Sequence, residues 1–371
     1  MTLYPNLILD ALKTVRYPGN GKSLAENHMI EDDIRIDGNK VSFSLIFDKQ
    51  TDPFIRSVVR ASEAAIASAI SPDVDVTIAV KTRTAAAPAK PEVLPGVKNI
   101  VGVSSGKGGV GKSTVAANLA VALAAKGYKV GLLDADIFGP SMPKMFGVED
   151  EQLYMVKKEG RDWIEPIERY GVKMLSIGFL VDKEKPVLWR GGMASNALKQ
   201  LISDAWWGDL DYFLIDMPPG TSDIHLTLVQ TLPITGVVVV STPQEVALAD
   251  ARKGIAMFTG DAVNVPILGL VENMAWFTPA QHPDERYYIF GEGGAVRLAE
   301  EQGVKLLAQI PLVMDIRSHA DEGAPVALEL ETNPATASIE AQAFGTLANN
   351  VIAAVDERNA TLPPTSKVAM H

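Results

Sequence analysis

The sequence predicts an α/β protein in which a doubly wound, mostly parallel sheet follows a small α+β domain. Two observations predict this division. Residues 82–97 combine an alanine run with three prolines and no apolar periodicity, as is typical of a linker. After them, short runs rich in Val, Ile and Leu alternate with helical segments, which indicates a parallel sheet covered on both faces.

Four segments are therefore expected along the chain. They are a small α+β domain at residues 1–81, a linker at 82–97, the larger α/β domain at 98–358 and a flexible tail at 359–371. The total of 371 residues, 47% of them apolar, is enough for two separate cores.

The elements of the small domain follow from apolar periodicity and from one turn signal. Helical spacing predicts helices, and alternation predicts strands. Asp37-Gly38-Asn39 is a typical hairpin turn. The expected order is a helix at 7–15, a hairpin of 33–36 with 40–47, a helix at 53–69 and a strand at 74–81.

The larger domain is predicted from seven apolar runs that are short enough to be buried strands. The segments between these runs have helical spacing, and Lys112 to Lys126 is the strongest of them because Ala and Leu recur throughout and Gly127 follows. The seven runs are 100–103, 130–133, 172–177, 212–215, 236–240, 267–271 and 306–310.

Charge and composition exclude several classes of function. A net charge of −11 argues against general affinity for nucleic acid or for an anionic membrane. The first residues show no export signal, and no run approaches about 18 apolar residues, so a cytoplasmic protein without membrane or nucleic-acid partners is expected. The chain has no cysteine, which excludes disulfides, thiolate nucleophiles and an iron–sulfur cluster held by its own thiolates.

The segment from Gly106 to Thr114, GKGGVGKST, lies between a predicted strand and a predicted helix. Its glycines allow successive backbone N–H groups to point at an anion, and the helix adds the positive end of its dipole. Two patterns fit the segment. One is the dinucleotide pattern GxGxxG, and the other is the triphosphate pattern GxxxxGK[ST], which ends in Lys112 and Ser113.

Asp216 favours the triphosphate pattern. It ends an apolar strand, where a carboxylate can hold Mg²⁺ through water. The Pro-Pro-Gly that follows can form a turn that senses the γ-phosphate. The dinucleotide pattern has Asp134 in its favour, since an acid after the second strand can hold a ribose. That acid, however, lies farther from Gly106 than the usual spacing of about 20 residues.

At least one carboxylate is needed near the γ-phosphate to orient the attacking water. Asp136, in the Gly-Pro loop after the second strand, is better placed for this than Asp134. In the triphosphate interpretation Lys112 neutralises the β and γ oxygens and Ser113 ligates Mg²⁺. Each acid also has an alternative role as a solvated or capping aspartate at a strand end.

In these motifs the chain resembles a known family. GKGGVGKST with Lys107 is similar to the deviant P-loop of the dimeric ATPases that include MinD, ParA and the nitrogenase iron protein. The segments DADIFGPS, WRGGMASNAL, DMPPGTSD, STPQEVALAD and VENMAWF resemble specifically the Mrp/ApbC family of iron–sulfur cluster carriers. The first 81 residues resemble the small iron–sulfur-assembly domain that often precedes this ATPase.

The resemblance implies roles for individual residues. Lys107 would be the signature lysine that reaches the partner's nucleotide across a homodimer, and Asn273 would read the adenine. Arg190 would contact the partner or the phosphate side, or lie on the surface. Lys107, Lys112 and Asp136 are the expected catalytic residues, and Ser113 and Asp216 the expected Mg²⁺ ligands. The expected ATP-binding residues are Gly106, Lys107, Gly108, Gly109, Val110, Gly111, Lys112, Ser113, Thr114 and Asn273.

The chain departs from the family at the cluster ligands. Family members have a CxxC soon after the ENM segment, and two such pairs hold a [4Fe–4S] cluster between subunits. Here the segment from Trp276 to Gly294 contains no sulfur ligand, although the IFGEGG that follows the pair is retained. His282, Asp284 and Glu285 are conceivable substitute ligands, but such residues in a Pro-containing loop more often form a solvated surface.

Three functions are consistent with these motifs. The first is a homodimeric Mg-ATP-dependent ATPase in iron–sulfur protein maturation, acting on apoprotein clients or with assembly factors, as a scaffold or adaptor if its own cluster ligands are absent. The second is a positioning ATPase of the MinD and ParA kind, which would need a membrane- or DNA-binding element. The third, an NAD-dependent oxidoreductase, has only the dinucleotide pattern in its favour.

Overall fold

A computed structural model of the chain describes residues 3–31, 33–47, 52–82, 93–180, 191–279 and 281–368. The chain forms two compact units, Met1–Pro91 and Glu92–His371. Most of the predicted linker, at residues 83–92, lies outside the described residues.

The first unit is a three-stranded sheet with two helices. Its strands lie in the order β1-β2-β3, with β2 antiparallel to β1 and parallel to β3. Ile8, Leu12, Leu45 and Ile66 are fully buried in its core. The first helix begins two residues earlier than expected, because Pro5 suits the first turn of a helix. The elements are α1 (Pro5–Lys13), β1 (Arg35–Asp37), β2 (Lys40–Phe47), α2 (Ile55–Ala69) and β3 (Asp75–Thr82).

The second unit contains an eight-stranded sheet, and all seven predicted apolar runs are strands of it. The sheet order is β13-β12-β11-β4-β10-β5-β9-β8, parallel throughout except for the edge strand β8. Strands β6 and β7 form a separate antiparallel pair. These two and β8 were not predicted, because their largely exposed, charged residues lack a clear apolar period. The strands are β4 (Val97–Ser105), β5 (Val130–Asp134), β6 (Tyr154–Lys158), β7 (Arg161–Glu165), β8 (Ile167–Arg169), β9 (Val172–Ser176), β10 (Leu210–Asp216), β11 (Gly236–Ser241), β12 (Ile267–Asn273) and β13 (Leu306–Ile310).

Helices cover both faces of this sheet, as the doubly wound prediction requires. Helices α3 and α11 share one apolar core with the sheet, and α5, α6 and α7 share the other. No helix in the described segments has the length and apolarity to cross a membrane. The helices of this unit are α3 (Lys112–Ala125), α4 (Met142–Met145), α5 (Gly191–Ser203), α6 (Asp223–Thr231), α7 (Glu245–Thr259), α8 (Gly294–Gln302), α9 (Met314–Glu322), α10 (Glu329–Thr332) and α11 (Ile339–Thr361).

The strand order brings the ends of three strands together. Strand β10 lies between β4 and β5, and Asp216 is in register with Val103 on one side and with Asp134 on the other. In open parallel sheets, ligands bind at the carboxyl ends of strands where the strand order changes direction. The segments that follow β4, β5 and β10 therefore meet at one edge.

The flexibility of the tail expected at residues 359–371 stays a prediction, and the structure describes this segment up to residue 368. Helix α11 continues to Thr361, and the chain beyond it lies along the domain. Thr365 Oγ1 donates to the Pro233 carbonyl at 3.0 Å, and Val368 N donates to the Val229 carbonyl at 3.1 Å. Two consecutive prolines end the helix and hold the chain extended, which places Val368 against the core.

Candidate functional site

The loop that joins β4 to α3 depends on glycine at two positions. Gly111 has a φ of 80°, and a Cβ there would lie 2.2 Å from Nδ2 of Asn273. A Cβ on Gly106 would lie 2.1 Å from the carbonyl carbon of Asp250 on α7. The loop therefore curls tightly against its neighbours, and any larger residue at either position would displace it.

The start of α3 is open to a ligand. No side chain in the described part of the chain caps its first N–H groups, so these donors and the helix dipole favour an anion. The helix opens into a cavity of about 250 Å³. Its lining includes Lys107, Gly108, Gly109, Gly111, Lys112, Ser113, Thr114, Asp136, Ser141 and Pro219.

Lys112, Ser113 and Asp216 form one buried cluster at the base of this cavity. Nζ of Lys112 lies 2.6 Å from Oδ1 of Asp216, and the Ser113 hydroxyl donates to Oδ2 at 2.6 Å. The Asp216 side chain is fully buried. Burial raises the pKa of Asp216, and the charge of Lys112 opposes that rise. The cluster has the oxygens for a cation and the ammonium group for a phosphate.

The acid that ends β5, Asp134, and the acid two residues later, Asp136, have different surroundings. Asp136 lines the cavity, with its Oδ2 3.8 Å from Nζ of Lys112. Asp134 is fully buried beneath it, where it accepts hydrogen bonds from the Ser176 hydroxyl and from the Asp136 and Met142 backbone. Burial, with the nearby charge of Asp216, raises the pKa of Asp134 to about 7. Asp136 alone of the two acids faces the cavity.

Asn273 lies under the loop. Its Nδ2 donates to the Val110 carbonyl at 2.8 Å, and its side chain is largely buried. The Val110 side chain packs into the core beside α3. Asn273 thus holds the loop in its curled form, and the adenine contact implied by the resemblance stays a prediction.

Lys107 is the half-buried lysine at the mouth of the cavity. The Ser105 hydroxyl donates to its backbone carbonyl at 3.0 Å, which fixes the main chain at this point. Within the described residues its ammonium group has no ion-pair partner, unlike that of Lys112. This side chain is therefore available to an anion outside its own loop.

Arg190, for which the resemblance implies a contact with the partner or the phosphate side, lies outside the described residues. In the segment that replaces the family's CxxC, Phe277 and Tyr287 pair through their backbones, and Arg286 stacks on the Trp276 ring at 4.3 Å. His282 is exposed, with its Nδ1 3.2 Å from Oε1 of Glu285, and no group of three metal-binding side chains occurs among the described residues. The residues present in this segment do not fit a cluster.

Sequence reasoning missed two polar residues of the site. Ser176, at the end of β9, donates a hydrogen bond to Asp134 on the neighbouring strand β5, and no local sequence pattern predicts this contact. His225 closes a capping box with Ser222 at the start of α6. The spacing of these two resembles the Ser-x-x-Glu capping pattern, which was the available signal.

A family model described as the NUBPL iron-transfer P-loop NTPase, of the ParA group, matches residues 96–352. The chain belongs to this family. The match confirms the triphosphate interpretation of the loop over the dinucleotide one. A second model, described as an iron–sulfur cluster assembly protein, matches residues 6–80.

Individual relatives agree with both matches. An iron–sulfur cluster carrier protein of Synechocystis is 42% identical over 340 residues, which is 91% of this chain and 95% of that protein. A protein of the same name from Pseudomonas fragi is 52% identical over 241 residues, 65% of this chain and 82% of that one. A nucleotide-binding protein from Archaeoglobus fulgidus, solved with ADP, is 41% identical with a TM-score of 0.55, over 62% of this chain and 89% of that one.

These findings confirm the resemblance to the iron–sulfur carrier ATPases and the α/β fold class. They favour the iron–sulfur interpretation over a positioning ATPase of the MinD kind, because the matched family and the named carriers belong to the former.

Proposed function

We propose that this protein binds and hydrolyses Mg-ATP as a homodimer and acts in iron–sulfur cluster assembly as a scaffold or adaptor that supplies no cluster ligands of its own. The observation that carries the ATPase part is the buried cluster of Lys112, Ser113 and Asp216 at an open helix start. The ADP complex of the Archaeoglobus relative supports it.

The residues present fit Mg-ATP. Uncapped N–H groups and two positive-φ glycines form a phosphate cradle, and Lys112 supplies a charge at its base. The oxygens of Ser113 and Asp216 suit Mg²⁺, which takes one or two protein oxygens and keeps several waters. When bound, Mg²⁺ would neutralise charge that develops on the phosphate oxygens.

The chain's own residues would bind the triphosphate and promote its hydrolysis. Lys112 would neutralise the β and γ oxygens, and the backbone amides of Gly106 to Thr114 would orient the triphosphate. Asp136, the acid that faces the cavity, would orient the attacking water. Lys107, which has no ion-pair partner within the described residues, would reach the nucleotide of the second subunit and complete its site. Hydrolysis would reopen the dimer.

The iron–sulfur part rests on the relatives and is limited by composition. Relatives that match most of this chain are named iron–sulfur cluster carriers. This chain has no cysteine, and the loop in place of the CxxC is held by aromatic and backbone contacts. We therefore assign the cluster ligands to a partner, an assembly factor or an apoprotein client in the cytoplasm. We propose residues 1–81, which lie within the first unit, as the assembly-associated domain.

The experiment has two arms. Purified protein is assayed for Mg²⁺-dependent ATP turnover and for ATP-dependent dimerisation, with Lys112→Ala as the inactive control. Co-sedimentation with liposomes or DNA in the presence of ATP tests the positioning alternative. We expect turnover and dimerisation without co-sedimentation. Absence of turnover, or ATP-dependent capture by either surface, would contradict the proposal.

A further inference from the structure

The loop of residues 135–141, which carries Asp136, is held at both of its ends by a single buried carboxylate. Oδ1 of Asp134 accepts a hydrogen bond from the backbone N–H of Asp136 at 3.2 Å. Oδ2 accepts another from the backbone N–H of Met142, the first residue of α4, also at 3.2 Å. Asp134 therefore fixes both the point where this loop leaves β5 and the point where it enters α4.

The Asp134 carboxylate is itself oriented by a serine on the neighbouring strand. The Ser176 hydroxyl donates to Oδ2 of Asp134 at 2.8 Å and accepts from the backbone N–H of Gly178 at 2.9 Å. Because a backbone N–H can only donate, the hydroxyl proton is free for the carboxylate. Asp134 and Ser176 are both fully buried and are in register on β5 and β9. Ser176 thus limits the rotation of the carboxylate that holds the loop.

The loop also packs against the segment that contains this serine. A Cβ on Gly178 would lie 3.2 Å from Cβ of Pro140, near the far end of the loop, and 3.1 Å from Oγ of Ser176. Within the loop, Ala135 and Ile137 are buried. Hydrogen bonds and close packing together give the loop one defined course.

The position of the Asp136 carboxylate depends on this course. Asp136 lines the phosphate cavity, but no hydrogen bond from the described residues reaches its carboxylate. Its Oδ2 lies 3.8 Å from Nζ of Lys112, which is too long for a hydrogen bond. The backbone that Asp134 holds therefore determines where the Asp136 side chain points. Such placement is critical, since a displacement of about 1 Å at a reacting centre can lower a rate about 10²-fold.

We propose that Ser176 and Asp134 are positioning residues for hydrolysis: the Ser176 hydroxyl orients the Asp134 carboxylate, which holds Asp136 where it orients the attacking water. The inference rests on the proposed ATP hydrolysis and adds two residues that act on it through Asp136. Neither residue lines the phosphate cavity. Their loss should therefore slow hydrolysis more than it weakens nucleotide binding.

A double-mutant cycle tests whether Ser176 acts through Asp136. Ser176→Ala and Asp136→Asn are made singly and together, with single-turnover hydrolysis of Mg-ATP and binding of a non-hydrolysable ATP analogue measured in each. We expect Ser176→Ala alone to slow hydrolysis about tenfold and to change the Kd for the analogue less than about twofold. In the Asp136→Asn background it should have no further effect on the rate, because the carboxylate that it positions is gone.

A second variant and a matched control accompany the cycle. Asp134→Asn keeps one acceptor oxygen and can hold only one end of the loop, so we expect a larger loss of rate than in Ser176→Ala, with the same dependence on Asp136. Ser62→Ala removes another fully buried hydroxyl, which donates to the Val58 carbonyl at 2.8 Å in the first unit. This control should leave the rate and the Kd unchanged.

Amide hydrogen exchange tests the contacts without nucleotide. We expect the amides of Asp136 and Met142 to exchange about tenfold faster in Ser176→Ala and in Asp134→Asn than in the parent chain, because their acceptor is displaced or lost. Unchanged exchange at both amides in both variants would overturn the inference.

The kinetic outcomes separate this inference from the proposed function. Equal fold losses of rate with and without the Asp136 carboxylate would overturn the inference alone, as would an unchanged rate in Ser176→Ala or a loss of analogue affinity as large as the loss of rate. Absence of ATP hydrolysis in the parent chain would refute the proposed function, and the inference with it.

Discussion

Lys112 and Asp216 form a buried ion pair, with 2.6 Å between Nζ and Oδ1, that joins the start of α3 to the end of β10. The chain separates them by about a hundred residues, and the parallel sheet brings them together. At this distance each charge compensates the other. The same two groups are those that a triphosphate and its Mg²⁺ would engage.

The first prediction concerns this pair. Lys112→Ala should lower the free energy of unfolding by about 3 kcal/mol, because it leaves a buried carboxylate without its partner. It should also weaken ATP binding. Urea unfolding and equilibrium binding measure the two effects. Adding Asp216→Asn should recover part of the stability and none of the ATP binding, and full additivity of the two substitutions would show that the pair is not coupled.

The second prediction concerns Lys107. Lys107→Ala should reduce ATP turnover at least about 10³-fold, by analogy with a catalytic cation supplied in trans. Its affinity for ATP should stay within about twofold of the parent chain. Steady-state turnover and binding to the same preparation provide both values. Lys253→Ala, which removes an exposed lysine on α7, is the matched control, and unchanged turnover in Lys107→Ala would refute the trans role.

Asn273 gives a third prediction. Asn273→Asp replaces the amide that donates to the Val110 carbonyl with an acceptor, so two oxygens face each other beneath the loop. We expect nucleotide affinity to fall about tenfold through loosening of the loop. Asn273→Ala, which removes the donor without adding an acceptor, should have a smaller effect. Calorimetric titration with ADP measures both, and equal affinities in all three proteins would show that the contact does not support the loop.

The fourth prediction concerns acid stability of the first unit. The Ser44 hydroxyl donates to Oδ2 of Asp33 at 2.6 Å, and this bond, with a smaller contribution from Lys81, lowers the pKa of Asp33 to about 2. Because the folded pKa lies below the unfolded value of about 3.9, this stabilisation is present above pH 4 and is lost as the pH falls from about 4 to 2.

Carboxyl NMR of Asp33 should therefore show a midpoint near pH 2, and Ser44→Ala should raise it toward the ordinary value. The Asp33→Asn variant should lose less stability than the parent chain between pH 4 and 2. A midpoint near 4 in the parent chain would contradict the assigned hydrogen bond.

The fifth prediction tests the C-terminal segment. Removal of residues 362–371 deletes the hydrogen bonds of Thr365 and Val368 and the apolar contact of Val368 with the core. Each hydrogen bond contributes about 1 kcal/mol, and the partly buried valine contributes less than about 1.5 kcal/mol. We expect a Tm lower by several degrees in differential scanning fluorimetry. An unchanged Tm would show that the segment contributes nothing to stability.

The parts of the fold that could be predicted from sequence are those that local patterns encode. The seven apolar runs are strands because a strand covered on both faces has no polar side to interrupt it. The glycines of residues 106–111 and the acid at 216 were recognisable because triphosphate chemistry fixes their types and spacing. Strands β6, β7 and β8 lacked such a pattern, since their side chains are mostly exposed.

Other parts depend on contacts between distant segments. Nothing near Ser176 in the sequence indicates that its hydroxyl holds Asp134, because that pairing follows from the order of β5 and β9 in the sheet. The amide of Asn273 donates to the Val110 carbonyl, a contact that no local pattern indicates, and its expected adenine contact stays a prediction. The C-terminal residues looked polar and irregular, yet a single valine and two hydrogen bonds hold them against the domain.

The measurement that tests the central claim most directly is anaerobic reconstitution with iron and sulfide, with ATP turnover followed in the same preparation. We predict Mg²⁺-dependent turnover together with iron and sulfide far below one [4Fe–4S] cluster per dimer. A stoichiometric cluster on the isolated protein would contradict the claim that its ligands come from a partner, and iron-free protein without turnover would contradict the ATPase itself.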